Sequence, residues 1–172
     1  FSKESEEELH SEIQRLLTLL NMKTSIYNVE TREGIDGKAY IMEVSPRGGG
    51  NRLAEMIRYA TGMDLIESAV KAAVGDSVIG LEQKKYDGYW AEYVLHSFEN
   101  GKFKELYIEP QIRENNLKEL DLWVNPGDEV HTFTAANYAI GTVVLKFNSK
   151  DEMETIMRSM NEKIKVIVEE DK

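Results

Sequence analysis

The sequence predicts an α+β protein in two parts: an antiparallel hairpin accompanied by three helices, then a small, mainly antiparallel β-rich module. Three observations predict it. Residues 25–45 read as two short strands about an Asp-Gly turn, with helical periodicity on either side. From about residue 80 the pattern changes to strands punctuated by Asn-Gly and Asn-Pro-Gly-Asp, with one methionine-striped helix near the end. No internal repeat and no low-complexity stretch competes with that reading.

Each element has a local cause. Ser5 and Glu8 fit a capping box, and Leu9, Ile13, Leu16, Leu17 and Leu20 recur at helical spacing, which predicts a helix over 6–20 that stops near Asn21. Ser25–Arg32 and Lys38–Ser45 follow as strands, joined by a two-residue Asp36-Gly37 turn. After Gly48-Gly49-Gly50, Leu53, Met56, Ile57 and Ala60 line one face of a helix that Gly62 ends. Asp64 and Glu67 open the next helix, whose stripe is Ile66, Ala69, Val70 and Ala73, with Gly75 at its end.

In the second half, Trp90–Phe98 and Lys102–Glu109 flank Asn100-Gly101 and are expected to pair as a hairpin. Asn125-Pro126-Gly127-Asp128 suits a type II turn. Strands are expected at 129–133 and 139–147, a helix capped by Ser149 with Met153, Ile156, Met157 and Met160 inward, and a last strand at 164–168. The division is expected between 76 and 88, giving parts of 1–80 and 81–172.

Bulk properties exclude several classes. The chain of 172 residues carries 31 acidic and 21 basic residues, a formal net charge of −10, which argues against a nucleic-acid or anionic-membrane surface. The acidic groups at both ends, Glu4 to Glu8 and Glu169 to Asp171, read as solvated. No cysteine is present, so disulfides and thiolate metal sites are excluded. No apolar run approaches the roughly 20 residues of a membrane span, and no secretory leader opens the chain. A cytoplasmic location is the expectation. The chain begins with Phe1, not Met, at the threshold of a helix, and is therefore expected to be a piece of something longer.

The chemistry concentrates on the first hairpin. With Asp36-Gly37 as its loop, Glu30 faces Glu43, Asn28 faces Ser45, Arg32 faces Ile41 and Ile26 faces Arg47. Alternation puts Asn28, Glu30, Arg32, Glu43, Ser45 and Arg47 on one face, and Tyr27, Val29, Thr31, Tyr40, Met42 and Val44 on the other, core-side face. Opposed carboxylates repel, so a cation is expected between them. Arg32 or Arg47 would serve; Mg²⁺ or Mn²⁺, which prefers carboxylate and amide oxygens, would serve better. The same pattern also fits a solvated hairpin face held by salt bridges. Gly48-Gly49-Gly50 then permits close backbone approach to a ligand and leads into a helix N-terminus, where free N–H groups attract anions. Asn51 fits either an N-cap of that helix or a ligand contact.

The stretches Tyr27-Asn-Val-Glu-Thr-Arg, Asp36-Gly-Lys-Ala-Tyr-Ile-Met-Glu-Val-Ser-Pro-Arg-Gly-Gly-Gly-Asn51 and Tyr59-Ala-Thr-Gly-Met-Asp-Leu65 resemble the ATP-grasp ligases. They are closest to the branch that includes carbamoyl phosphate synthetase large subunits and carboxylate–amine ligases. The resemblance spans residues 22–76, and implies that this part is the C-terminal lobe of an ATP-grasp fold, followed by the small C-terminal domain of such enzymes. It implies that Glu30 and Glu43 hold the magnesium ions of ATP, that Arg47 contacts phosphate or an acyl-phosphate intermediate, and that Asn28 and the Gly48–Asn51 loop contribute nucleotide contacts. Ser45 stands where the family has an asparagine ligand, which puts full competence in question and leaves open an inactive relative that serves as a binding or assembly module. The family's nucleotide-gripping lysines and glycine-rich loop lie upstream of this motif. The implied partners are small carboxylate and amine substrates and an upstream lobe of the same polypeptide, with no nucleic acid or membrane; a homo-oligomer is left open.

His10, His96 and His131 lack metal-site spacing, and no Ser-His-Asp order or nucleophile elbow is present.

Overall fold

The computed structural model describes residues 2–78, 80–82 and 85–169. Glu170 and Asp171 of the expected acidic tail lie outside them. Among the described residues no helix is long and apolar enough to cross a membrane. The chain divides into two compact units, Phe1–Arg58 with Gly62–Gln83, and Tyr59–Thr61 with Lys84–Lys172.

The first unit opens with helix α1, Lys3–Leu19. Ser2, not Ser5, is its N-cap, its hydroxyl accepting from the Ser5 N–H at 3.1 Å. Ser5 is instead buried, and its Oγ accepts from the Ala39 N–H at 3.0 Å, which ties the helix to the strand beside it. The hairpin comprises β1, Asn28–Glu33, and β2, Ala39–Ser45. Helices α2, Leu53–Thr61, whose last three residues are counted with the second unit, and α3, Leu65–Ala73, follow. Asp64 caps α3, its carboxylate accepting from the Glu67 N–H at 2.8 Å. Its pKa lies below the ordinary value, mainly because of that backbone bond and also because of Arg58, whose guanidinium is 3.5 Å away.

The second unit holds β3 (Tyr89–Leu95), β4 (Gly101–Ile108), α4 (Pro110–Asn115), β5 (Leu117–Leu122), β6 (Glu129–Val130), β7 (Gly141–Phe147), α5 (Lys150–Arg158), α6 (Met160–Lys163) and β8 (Ile164–Glu169). These strands form two three-stranded sheets, β3-β7-β5 and β6-β4-β8, with every named pairing antiparallel. The expected hairpin of β3 with β4 does not form, because β3 pairs with β7 and β4 with β6 and β8. Asn100 does not close a two-residue turn; its Oδ1 accepts from the Thr132 N–H at 3.0 Å. The Pro126-Gly127 turn forms as expected, with Gly127 at φ 95° and the Asp128 N–H donating to the Asn125 carbonyl at 3.0 Å.

Between the two sheets' strands and helix α5 lies a continuous core of Leu95, Phe103, Ile108, Val143, Leu145, Phe147 and Met160, joined by Met153, Ile156 and Met157. Ser149 caps α5 as its sequence predicts. Tyr59 belongs to this unit: its ring stacks on Trp90 at 5.4 Å, and its hydroxyl donates to Glu119.

Candidate active site

The hairpin places the acidic pair by two compensating irregularities. The loop has three residues rather than two: the Gly34 N–H donates to the Lys38 carbonyl at 2.8 Å, and the Gly37 N–H to the Gly34 carbonyl at 2.9 Å. Gly37 sits at φ 76°, the left-handed position that follows a type I turn in such loops. Near the turn, therefore, Thr31 pairs with Ile41 and Arg32 with Tyr40, one residue out of the expected register. A bulge between Glu30 and Thr31 leaves Met42 as an extra residue in β2. Beyond it Glu30 lies opposite Glu43, and Asn28 opposite Ser45, the pairs that the sequence predicts.

The bulge also changes faces. Because strand side chains alternate, one extra residue in β2 moves the β2 side chains on its turn side to the opposite face, while β1 keeps its alternation. Tyr40 and Met42, expected on the core side, are 49% and 60% exposed, and Ala39 and Ile41 take the half-buried side next to α1. The ladder stops at Asn28 and Ser45, so the expected Ile26–Arg47 pair is not part of it. The Arg47 N–H folds back onto the Ser45 carbonyl at 2.8 Å.

Glu30 and Glu43 are both exposed, and the Ser45 hydroxyl donates to Glu43 Oε1 at 2.5 Å. Arg47 is exposed, with one guanidinium nitrogen donating to the Gly48 carbonyl at 2.8 Å. Gly49 is pinned where the loop passes over the strand: a Cβ there would come within 2.5 Å of Leu53 Cδ2 and 3.3 Å of Asn28 Oδ1. The loop then makes a turn that sequence reasoning missed. Asn51 and Arg52 both take left-handed backbone, at φ 51° and 58°, and Arg52 rather than Asn51 is the N-cap residue of α2, without a side-chain cap bond. Asparagine tolerates that conformation, but arginine is costly there, and strain of this kind clusters at functional sites. The Arg52 side chain is largely buried and reaches Glu55, 3.6 Å away. Only the glycine run hinted at so sharp a turn.

The donor set suits a hard divalent ion. Two opposed carboxylates with a hydroxyl and an amide beside them are all-oxygen ligands, which Mg²⁺ prefers. Among the described residues no three His, Cys, Asp or Glu side chains come together as a metal cluster. The hairpin thus offers the two carboxylates that Mg²⁺ normally takes from protein when substrate phosphates complete its shell.

Asn28, Gly48 and Gly49 also line a cavity of about 450 Å³ between the start of β1, the glycine loop and the faces of α2 and α3.

No family model matches the sequence, and no curated protein does. Solved structures do match. An L-amino acid ligase from Bacillus licheniformis superposes with a TM-score of 0.80 at 16% identity, covering 99% of this chain and 42% of its own. Phosphoribosylglycinamide synthetase from Anaerococcus prevotii gives 0.80 at 19% identity, covering 98% and 43%. The biotin carboxylase domain of 2-oxoglutarate carboxylase from Hydrogenobacter thermophilus, a dimer in complex with MgADP, gives 0.68 at 15% identity, covering 97% and 37%. The fold is that of the C-terminal portion of ATP-grasp ligases. The chain spans less than half the length of the structures that it matches.

Proposed function

We propose that the chain supplies the metal- and phosphate-binding half of an ATP-dependent carboxylate–amine ligase of the carbamoyl phosphate synthetase-like branch, working through an acyl phosphate. The observation that carries this reading is the Glu30–Glu43 pair, opposed across a bulged hairpin that runs into Arg47 and the glycine loop. In that reaction a carboxylate oxygen attacks the γ-phosphorus of ATP and ADP leaves. An amine nitrogen then attacks the acyl carbon, phosphate leaves and the nitrogen loses a proton.

Glu30 and Glu43, with Ser45 beside them, would hold Mg²⁺, or Mn²⁺ in its place. When bound, the metal neutralises charge on the phosphate oxygens. Arg47 lies past the end of the ladder, exposed, where its guanidinium meets the phosphoryl or acyl-phosphate oxygens by charge-assisted hydrogen bonds. Asn28, Gly48, Gly49, Gly50 and Asn51 supply amide contacts, which glycine permits at close range. In this reading residues 1–80 carry the site and 81–172 form a supporting C-terminal domain. The adenine and the inner phosphates are gripped by another lobe of the same polypeptide, and the substrates are a small carboxylate and an amine. The protein works in the cytoplasm.

Turnover of the complete protein with Glu43→Gln tests the proposal: loss of ATP-dependent ligation is expected, and full activity would refute it. The 172-residue chain alone should bind Mg–ATP weakly, because two carboxylates without anchored phosphates hold Mg²⁺ poorly. Calorimetric titration giving low-micromolar affinity would show a complete nucleotide site within it.

One observation favours a second reading, a relative without activity that serves as a binding or assembly module. The Ser45 hydroxyl engages Glu43 Oε1, and so competes with a metal for that oxygen. Ser45→Asn separates the two: a large gain in turnover favours the inactive relative, and little change favours the active ligase.

A further inference from the structure

The cavity beside the acidic pair differs in character from the pair itself. Its walls are Leu53 and Ile57 of α2 and Ile66 and Val70 of α3, and its floor is the loop at Gly49 and the amide of Asn28. At about 450 Å³ it falls within the roughly 300–1,000 Å³ of small-molecule sites, and like them it is mainly apolar with a few polar groups. Among the described residues that line it there is no Lys, Arg or His, and the one carboxylate, Glu55, is turned to Arg52 at 3.6 Å. The cavity therefore offers nothing to neutralise a second carboxylate of a ligand, and it offers apolar surface that a small polar acid would leave unused. Gly48, which follows Arg47 directly, is part of the lining, so the reactive end of the site and the cavity are one residue apart along the chain.

We infer that this cavity receives the apolar group of the carboxylate substrate, whose carboxyl end lies toward Arg47. The preferred substrate class is then a monocarboxylic acid with a branched aliphatic or aromatic group, ahead of short acids and dicarboxylic acids. This inference rests on the ligase reading for the word substrate, but the cavity's preference can be measured without it.

The 172-residue chain, with its Ile, Leu and Val methyl groups labelled with carbon-13, is titrated with 3-phenylpropanoate, acetate and succinate by NMR, with no magnesium or nucleotide present. Saturable shifts are expected at Leu53, Ile57, Ile66 and Val70, with phenylpropanoate binding at least about tenfold more tightly than acetate or succinate. Ala69→Phe, which adds bulk at an exposed lining position of α3, should weaken phenylpropanoate by a similar factor. Val70→Ser, which removes apolar wall without adding bulk, should also weaken it, and preserved amide dispersion would show that either variant is folded.

Equal responses to all three acids, or shifts indifferent to both substitutions, would overturn the inference. So would methyl shifts that grow with protein concentration when no acid is added, because they would assign the cavity to a second copy of the chain. The Glu43→Gln turnover experiment is separate: its failure removes the ligase reading and leaves the titration standing, and the converse also holds.

Discussion

The two units achieve order by different means. Among the described residues of the first unit, Leu9 is the one buried apolar side chain, and Met42, Ile66 and Val70 are each more than half exposed. The second unit buries Leu95, Val143, Val144 and Leu145 completely and Phe147 almost so. Yet the candidate chemistry sits in the first. What positions Glu30 opposite Glu43 is backbone: a three-residue turn, one bulge and a glycine loop, together with the single bond from Ala39 to Ser5. Strand pairing fixes such geometry without a large core, and leaves carboxylates in water where a metal and phosphates can reach them. Dense packing in the second unit does the opposite, and suits a support.

The largest test of that contrast is functional. Glu43→Gln in the complete protein should lower ligase turnover by roughly 10²–10³-fold, the scale of losing one oriented electrostatic partner of a transition state. In the 172-residue chain both tryptophans, Trp90 and Trp123, belong to the second unit, so its fluorescence reports that unit's unfolding, which Glu43→Gln should leave unchanged. A shifted fluorescence midpoint would mean that the division of labour is wrong.

Next in size is the core. Phe147→Ala should cost about 3–5 kcal/mol and shift the fluorescence transition in denaturant. Leu9→Ala should cost about 2 kcal/mol, at the low end for its type because its surroundings can collapse, and should move only an earlier transition seen by far-ultraviolet circular dichroism. A single transition, moved equally by both substitutions, would break the comparison.

Ser149→Ala removes the cap of α5, whose hydroxyl accepts from the Glu152 N–H at 3.1 Å, and should cost about 1 kcal/mol in the fluorescence transition alone.

The smallest expected effect is acid sensitivity of the hairpin turn. The Asp36 carboxyl is held below its ordinary pKa, first by the Tyr40 hydroxyl at 2.8 Å and then by the Lys38 N–H at 3.2 Å. A depressed folded-state value stabilises the turn above the unfolded-state pKa of about 4, and that contribution is lost as pH falls through the folded-state value. Tyr40→Phe should bring the Asp36 titration, followed by NMR, back toward the ordinary value and reduce the turn's sensitivity to acid.

Much of this was legible in the sequence for local reasons. Caps at Asp64 and Ser149, the stop at Gly62 and the Pro126-Gly127 turn each depend on a few adjacent residues, and each appears where its residues imply. The pairing of Glu30 with Glu43 was also legible, though by an assumed two-residue turn that does not exist. The bulge at Met42 cancels the offset of the longer loop, and no periodicity in β2 announces it. The short helix α4 and strand β5 escaped notice, since 110–122 offers only Pro110 as a signal and its leucines pack against partners distant in sequence.

By itself the sequence determined most of the elements, the caps at Asp64 and Ser149, the Pro126-Gly127 turn and which two carboxylates share a strand pair, because those follow from chemistry within a few residues. Tertiary structure alone decided that β3 leaves β4 for β7, that Tyr40 and Met42 face outward, and that α2 and α3 enclose a cavity beside the glycine loop. Those outcomes depend on which distant surfaces bury one another, and a strand's sequence carries its two faces but not the identity of its neighbour.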